Sequence, residues 1–214
     1  MNNKLDFLIS PNLTELNKFR PNLRIGILAS GEGTNFQVLI DSRKKNELDI
    51  DIKVLISNNI NAGCINRATN ALIKSEVLIE SEFNNKIDFE NKIIKILHDN
   101  DVELVVLAGW MKILSDKFIK SFKNRIINIH PSLLPSFKGK DAVYDALKNG
   151  SKITGCSVHF VIEEVDSGKL IIQGALPIDK KDNKESLTNK IQMIEHKILP
   201  YGISEAGLIV RGYI

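Results

Sequence analysis

Only two cysteines, Cys64 and Cys156, occur in 214 residues. Each stands alone in its segment, with no CxxC pair and no Cys/His cluster. That pattern excludes a disulfide framework and a structural zinc site. It fits buried thiols in a reducing compartment. Long hydrophobic runs are missing too. The first 22 residues hold one three-residue apolar run, at 7–9, whereas a secretory signal needs about 7–15 apolar residues. No stretch approaches the ~20 apolar residues of a membrane helix. The cytoplasm is the expected compartment, with no membrane partner. Charge of one sign is also scarce. The 29 basic and 26 acidic residues are interspersed and leave a net charge of +3. No basic block marks a nucleic-acid surface. Small anionic ligands stay open, because a local pocket can be positive on a nearly neutral protein.

What is present is the make-up of an ordinary globule, 43% hydrophobic and 26% charged, long enough to bury a core without staples. The expected organisation is an N-terminal extension over 1–22, a short helix or arm on the surface, and one domain over 23–214. No repeat, low-complexity tract or linker divides it. Apolar runs at 23–29, 52–56, 77–79, 103–108 and 125–129 read as strands. Helical stretches fall between them, from about 34 to 43 and 62 to 73. Phe89, Ile93, Ile96 and Leu97 share one helical face. The alternation predicts an α/β fold with a mostly parallel sheet and helices on both faces. The pattern then changes. Runs at 155–163 and 169–177 follow each other with no room for a helix, so they form a C-terminal antiparallel hairpin or corner around Asp166-Ser167-Gly168. A last helix carries Leu187, Ile191, Ile194 and Ile198 on one stripe.

The first strand runs into Ser30-Gly31-Glu32-Gly33-Thr34-Asn35. A glycine-rich turn at a helix start points backbone N–H groups at a phosphate. Thr34 and Asn35 can add side-chain donors. A tight strand–helix turn without a ligand is the competing reading. A Walker loop is excluded, since no Gly-Lys-Ser/Thr follows. A dinucleotide fits poorly: the third glycine is missing, and the second strand ends in Ser57-Asn58-Asn59 where a ribose-binding carboxylate would stand. A monophosphate fits better.

Asn128 and His130 are two apart on a strand, so both side chains point the same way. They lie at its C-terminal end, where open α/β sheets place their sites. An amide donor beside an imidazole suits the oxyanion of a tetrahedral intermediate. The alternative is that Asn128 caps a turn and His130 packs in it. Asp166 offers a carboxylate, or is simply a turn-forming residue. Ser157 and His159 alternate with Cys156, Val158 and Phe160, giving that strand one polar and one apolar face. Ser157 and His159 are read as supporting residues that do not touch substrate.

Several motifs together are more specific. Asn-Ile-His-Pro-Ser-Leu-Leu-Pro at 128–135, followed by Gly139, resembles the folate-dependent formyltransferase family. Ser-Gly-x-Gly-Thr-Asn-Phe at 30–36, Ala-Gly-Trp-Met-Lys-Ile-Leu-Ser at 108–115, Ser-Val-His-Phe-Val at 157–161 and Asp-Ser-Gly at 166–168 stand in the order and spacing of its glycinamide ribonucleotide branch. The resemblance runs from about residue 23 to the C-terminus. It implies a single Rossmann-like formyltransferase domain that moves the formyl group of 10-formyltetrahydrofolate, as cosubstrate, to the amine of glycinamide ribonucleotide in purine synthesis. No metal is implied, and the oligomeric state is left open.

The resemblance also implies roles. Asn128, His130 and Asp166 match the catalytic trio. Gly33, Thr34 and Asn35 match the phosphate loop. Gln192 and Glu195 match substrate-binding positions, and their i, i+3 spacing puts them on one flank of the last helix. Met111, Lys112, Ile113 and Leu114 match the folate segment, with Asn128 and Lys86 as further folate contacts. Lys112 and Lys86 stand where relatives often have arginine, which keeps the charge and loses the planar fork. Three alternatives come with this reading. A formyltetrahydrofolate hydrolase shares the trio, but typically carries an N-terminal regulatory domain longer than 1–22. A methionyl-tRNA formyltransferase typically has a second, C-terminal domain. A non-catalytic phosphate- or folate-binding module would be expected to have lost one of the trio.

Overall fold

A computed structural model describes residues 7–12 and 15–214. The first strand, β1 (Leu8–Ser10), lies in the extension. The chain then alternates as read from the sequence: β2 (Leu23–Ala29), α1 (Thr34–Lys44), β3 (Ile50–Ser57), α2 (Gly63–Asn70), β4 (Ser75–Val77), α3 (Lys86–Asp99) and β5 (Leu104–Leu107). After these come α4 (Asp116–Ser121), β6 (Ile126–His130), α5 (Ala142–Lys148), β7 (Ile153–Phe160), β8 (Leu170–Pro177) and α6 (Lys184–Val210). The two short helices α4 and α5 were not expected from the sequence. Each spans fewer than two full turns, too short for an apolar period to register.

Among the described residues, eight strands form one sheet in the order β1-β8-β7-β6-β5-β2-β3-β4. Strands β6, β5, β2, β3 and β4 run parallel. β7 and β8 pair antiparallel, as the hairpin pattern predicts. The chain moves outward from β2 to β3 and β4, then returns to place β5 on the other side of β2. The crevice beyond the C-terminal ends of β2 and β5 is therefore a topological switch point.

Each face carries its own core. One is built by α1, α2 and α6, with Phe36, Leu39, Ala68, Ile191 and Ile198 against the sheet. The other is built by α3 and α4, with Phe89, Ile93, Leu97 and Phe118. Strands β2 and β5 send alternate residues to both, so Ile27 and Val106 belong to the first core and Leu28 and Val105 to the second. A strand covered on both faces needs the continuous apolar sequence these two have.

The extension departs from the expected helix or surface arm. Residues 1–6 and 13–14 lie outside the described residues, but the remainder is built into the fold. β1 pairs antiparallel with β8, Leu8 opposite Ala175 and Ser10 opposite Gln173. Phe19 is fully buried, and Asn17 N–H donates to Ser204 Oγ of α6 at 2.8 Å. Two physical causes act here. The edge of β8 presents unpaired backbone groups that a further strand satisfies. The apolar side chains of Phe7, Ile9, Leu16 and Phe19 pack against the first core.

Candidate active site

A cavity of about 580 Å³ opens at the switch point. Its walls come from the loop after β2, the segment after β5, the end of β6, the loop between β7 and β8, and one flank of α6.

The loop after β2 forms the first wall. Gly33 is the N-cap of α1 in the left-handed region, with φ 70°. A Cβ there would sit 2.6 Å from Cys64 Cβ, so the position demands glycine on two grounds. The turn leaves the first N–H groups of α1 without intrahelical partners beside Thr34 and Asn35. Asn35 does not extend its amide into open space. Its Nδ2 donates to Glu195 Oε2 at 2.8 Å.

Glu195 and Gln192 both face the cavity from α6. Glu195 is 7% exposed. Burial raises its pKa to about 7, against the hydrogen bond from Asn35 that favours the charged form. The carboxyl thus changes charge near neutral pH, at the point where helix α6 meets the glycine-rich loop.

Asn128 and His130 do share one direction at the end of β6, and Asp166 faces them from the β7–β8 loop. Asn128 Nδ2 lies 3.4 Å from Asp166 Oδ1 and 3.3 Å from His159 Nε2. His130 Nδ1 lies 3.4 Å from Asp166 Oδ2. The other ring nitrogen, Nε2, donates to the Phe137 carbonyl at 2.9 Å, which turns Nδ1 toward the carboxylate. Gly139 N–H donates to Asp166 Oδ2 at 2.8 Å. Burial opposes charge on Asp166. Contact with His159, the Gly139 N–H and the nearby imidazoles outweigh it, and the pKa falls to about 2. Asp166 is therefore a carboxylate at neutral pH. It also holds a left-handed backbone, φ 49°, a conformation that Asp tolerates better than most residues.

Ser157 and His159 stand behind this group. Ser157 Oγ donates to Ser132 O at 2.7 Å and accepts from Leu134 N–H at 3.1 Å. It holds the proline-bounded loop rather than facing the cavity. His159 Nδ1 donates to Phe160 O at 2.8 Å, leaving Nε2 toward Asn128 and Asp166.

The segment after β5 forms an apolar wall. Met111 and Ile113 are exposed and Leu114 is buried, and all three line the cavity together with Ile162 and Val165 of the opposite loop. Lys112 lines it as well, its Nζ paired with Glu80 Oε2 at 2.7 Å. Lys86 is not brought to the cavity. It is the first residue of α3, and its ammonium lies 3.8 Å from Glu90 one turn on. Two contributors were not legible in the sequence: the Phe137 carbonyl and the Gly139 N–H. Both are backbone groups on an irregular loop, and Phe137 has φ 51°, which residue type alone does not foretell.

The comparisons with known proteins agree with this geometry. The family model described as formyl transferase matches residues 23–203. Phosphoribosylglycinamide formyltransferase of Bacillus subtilis (strain 168) is 38% identical over 190 residues, covering 88% of this chain and 97% of that protein. The human trifunctional purine biosynthetic protein adenosine-3 is 40% identical over 177 residues, 83% of this chain. The chain spans only 18% of that relative's length. A crystal structure of glycinamide ribonucleotide transformylase 1 from Symbiobacterium toebii superposes with a TM-score of 0.86 at 35% identity, covering 94% of both chains. The chain belongs to the formyl transferase family.

Proposed function

We propose that this chain transfers a formyl group from 10-formyltetrahydrofolate to the amine of glycinamide ribonucleotide, as a cytoplasmic enzyme of purine synthesis. One observation carries the reading. Asn128 and His130 each reach to 3.4 Å from Asp166, on a cavity lined also by a phosphate-type helix start and an apolar wall. The Gly33-Thr34-Asn35 turn takes the ribonucleotide phosphate, and Gln192 and Glu195 take its sugar and amide side. The wall at Met111–Leu114 takes the flat apolar body of the folate, a shape that a cleft of this volume accommodates.

Attack of the neutral amine on the formyl carbon places negative charge on the formyl oxygen. Asn128 Nδ2 and His130 Nδ1 are the donors for that oxygen. Both make only long contacts to Asp166 in the free site, so both can turn to a new acceptor without leaving a strong bond. Asp166 stays ionised and faces His130 Nδ1 at 3.4 Å. It is also the acceptor, through a water, for the proton that must pass from the attacking nitrogen to the leaving folate nitrogen. Its low pKa makes it an anion before and after the step, and the proton it takes from the attacking nitrogen is passed back through the water to the leaving folate nitrogen.

The deciding experiment measures formyl loss from 10-formyltetrahydrofolate with and without glycinamide ribonucleotide. Turnover is expected only with the acceptor. Full-rate release with water alone would make the chain a hydrolase.

A further inference from the structure

Glu90 sits on the buried face of α3, and none of the steps above uses it. Its side chain is 4% exposed. A carboxylate removed from water needs hydrogen-bond donors. Two come from a single residue of another element. Ser115 N–H donates to Glu90 Oε1 at 2.9 Å, and the Ser115 hydroxyl donates to Glu90 Oε2. Lys86 Nζ is the next neighbour, 3.8 Å from Oε1. Ser115 is also the N-cap of α4, where its Oγ accepts from Phe118 N–H at 3.3 Å. A hydroxyl has one proton to give. Glu90 takes it, which leaves the lone pairs for the helix.

Ser115 closes the irregular stretch that forms the apolar wall. The opposite end of that stretch is tied to the loop after β2. Ser30 N–H donates to Gly109 O at 3.0 Å, and Met111 N–H donates to Ser30 Oγ at 3.0 Å. Between the two anchors, Met111 and Ile113 are 69% and 66% exposed. Side chains that exposed gain little from core packing, so their positions depend on the backbone anchors. Trp110 stacks on Phe89, the residue before Glu90, with ring planes 4° apart. Two consecutive residues of α3 thus buttress both ends of the wall.

We propose that Glu90 is a positioning residue for folate: by holding Ser115, it sets where the 111–114 wall meets the cosubstrate. The inference rests on the proposed assignment of this end of the cavity to the folate. The test compares wild type, Glu90→Gln, Ser115→Ala and the double variant, with the two substrates varied independently. Gln keeps the shape of Glu but loses an acceptor, and Ala removes the hydroxyl. The KM for 10-formyltetrahydrofolate is expected to rise about tenfold in each single variant, the scale of one hydrogen bond to a charged group. The KM for the ribonucleotide should stay within about twofold on the same scale. The double variant should be no worse than the worse single one, because both changes delete one contact. An unchanged folate KM with a lowered Tm would overturn the proposal, and so would a parallel rise in both KM values or additive effects in the double variant. Ser115→Ala alone remains decisive if Glu90→Gln does not fold. Failure of the wild type to transfer formyl would count against the proposed function instead.

Discussion

Asp166→Asn is the substitution that most sharply separates charge from shape. Asn tolerates the left-handed backbone at φ 49° and keeps an oxygen for the Gly139 N–H. The charge is lost, together with the second acceptor oxygen that faces Asn128 and His159. The depression from 3.8 to about 2 measures how strongly the surroundings prefer the ionised form. At roughly 1.4 kcal/mol per unit, discounted for a group that keeps some contact with solvent, that is about 1–2 kcal/mol. The folded pKa lies below the unfolded one. The stabilisation is therefore complete above pH about 4 and disappears as pH falls through about 2. Thermal melts from pH 2 to 7 should show wild type losing this increment in the acid limb, whereas Asp166→Asn never has it. On the proposed mechanism, kcat should fall about 10²- to 10⁴-fold, the usual range for a lost proton-transfer group. The KM for the ribonucleotide should change much less, since on the same proposal its phosphate binds at the Gly33 turn. Stopped assays on the folded variant check both numbers. A kcat within a few-fold of wild type would refute the reasoning and return Asp166 to the role of a turn residue.

Three other outcomes follow from the same structure. Glu195, with its pKa raised to about 7, costs stability as pH rises from its ordinary value of 4.5 through 7, because the folded form holds its proton longer. Glu195→Gln should therefore be the more stable protein above pH 7, and should flatten any pH dependence of the ribonucleotide KM near neutrality. A melt series and KM at pH 6, 7 and 8 test this, and an unaltered pH profile would contradict it. Gly33→Ala places a methyl 2.6 Å from Cys64 Cβ at φ 70°. It should destabilise the fold by at least ~1 kcal/mol and weaken ribonucleotide binding with little effect on the folate KM, which calorimetric titration with each substrate would show. Phe19→Ala should cost about 3–5 kcal/mol for a fully buried ring while leaving kcat intact in the folded fraction, and equal denaturation midpoints for variant and wild type would refute the burial argument.

The sequence by itself determined the sheet's parallel half, because β2 and β5 lie between two cores and are apolar on both sides. It also singled out three polar residues that the fold brings together: an Asn and a His two apart on a strand, and an Asp in the connection beyond. The motif order supplied the family. Tertiary structure alone decided three things. The first was the fate of the described part of the extension, since an irregular sequence carries no period and its conformation comes from the open edge of β8, the pocket for Phe19 and the Asn17 bond to Ser204. Another was the exclusion of Lys86 from the cavity. Its side chain lies at the start of α3 beside Glu90, and helix orientation is set by the packing of Phe89 and Ile93 rather than by local sequence. The last was the tuning of Asp166 and Glu195. Both are carboxylates, yet one is pulled down to about 2 and the other raised to about 7. The difference comes from neighbours distant in the chain. Asp166 is surrounded by an N–H and two imidazoles, whereas Glu195 is buried with one amide for company.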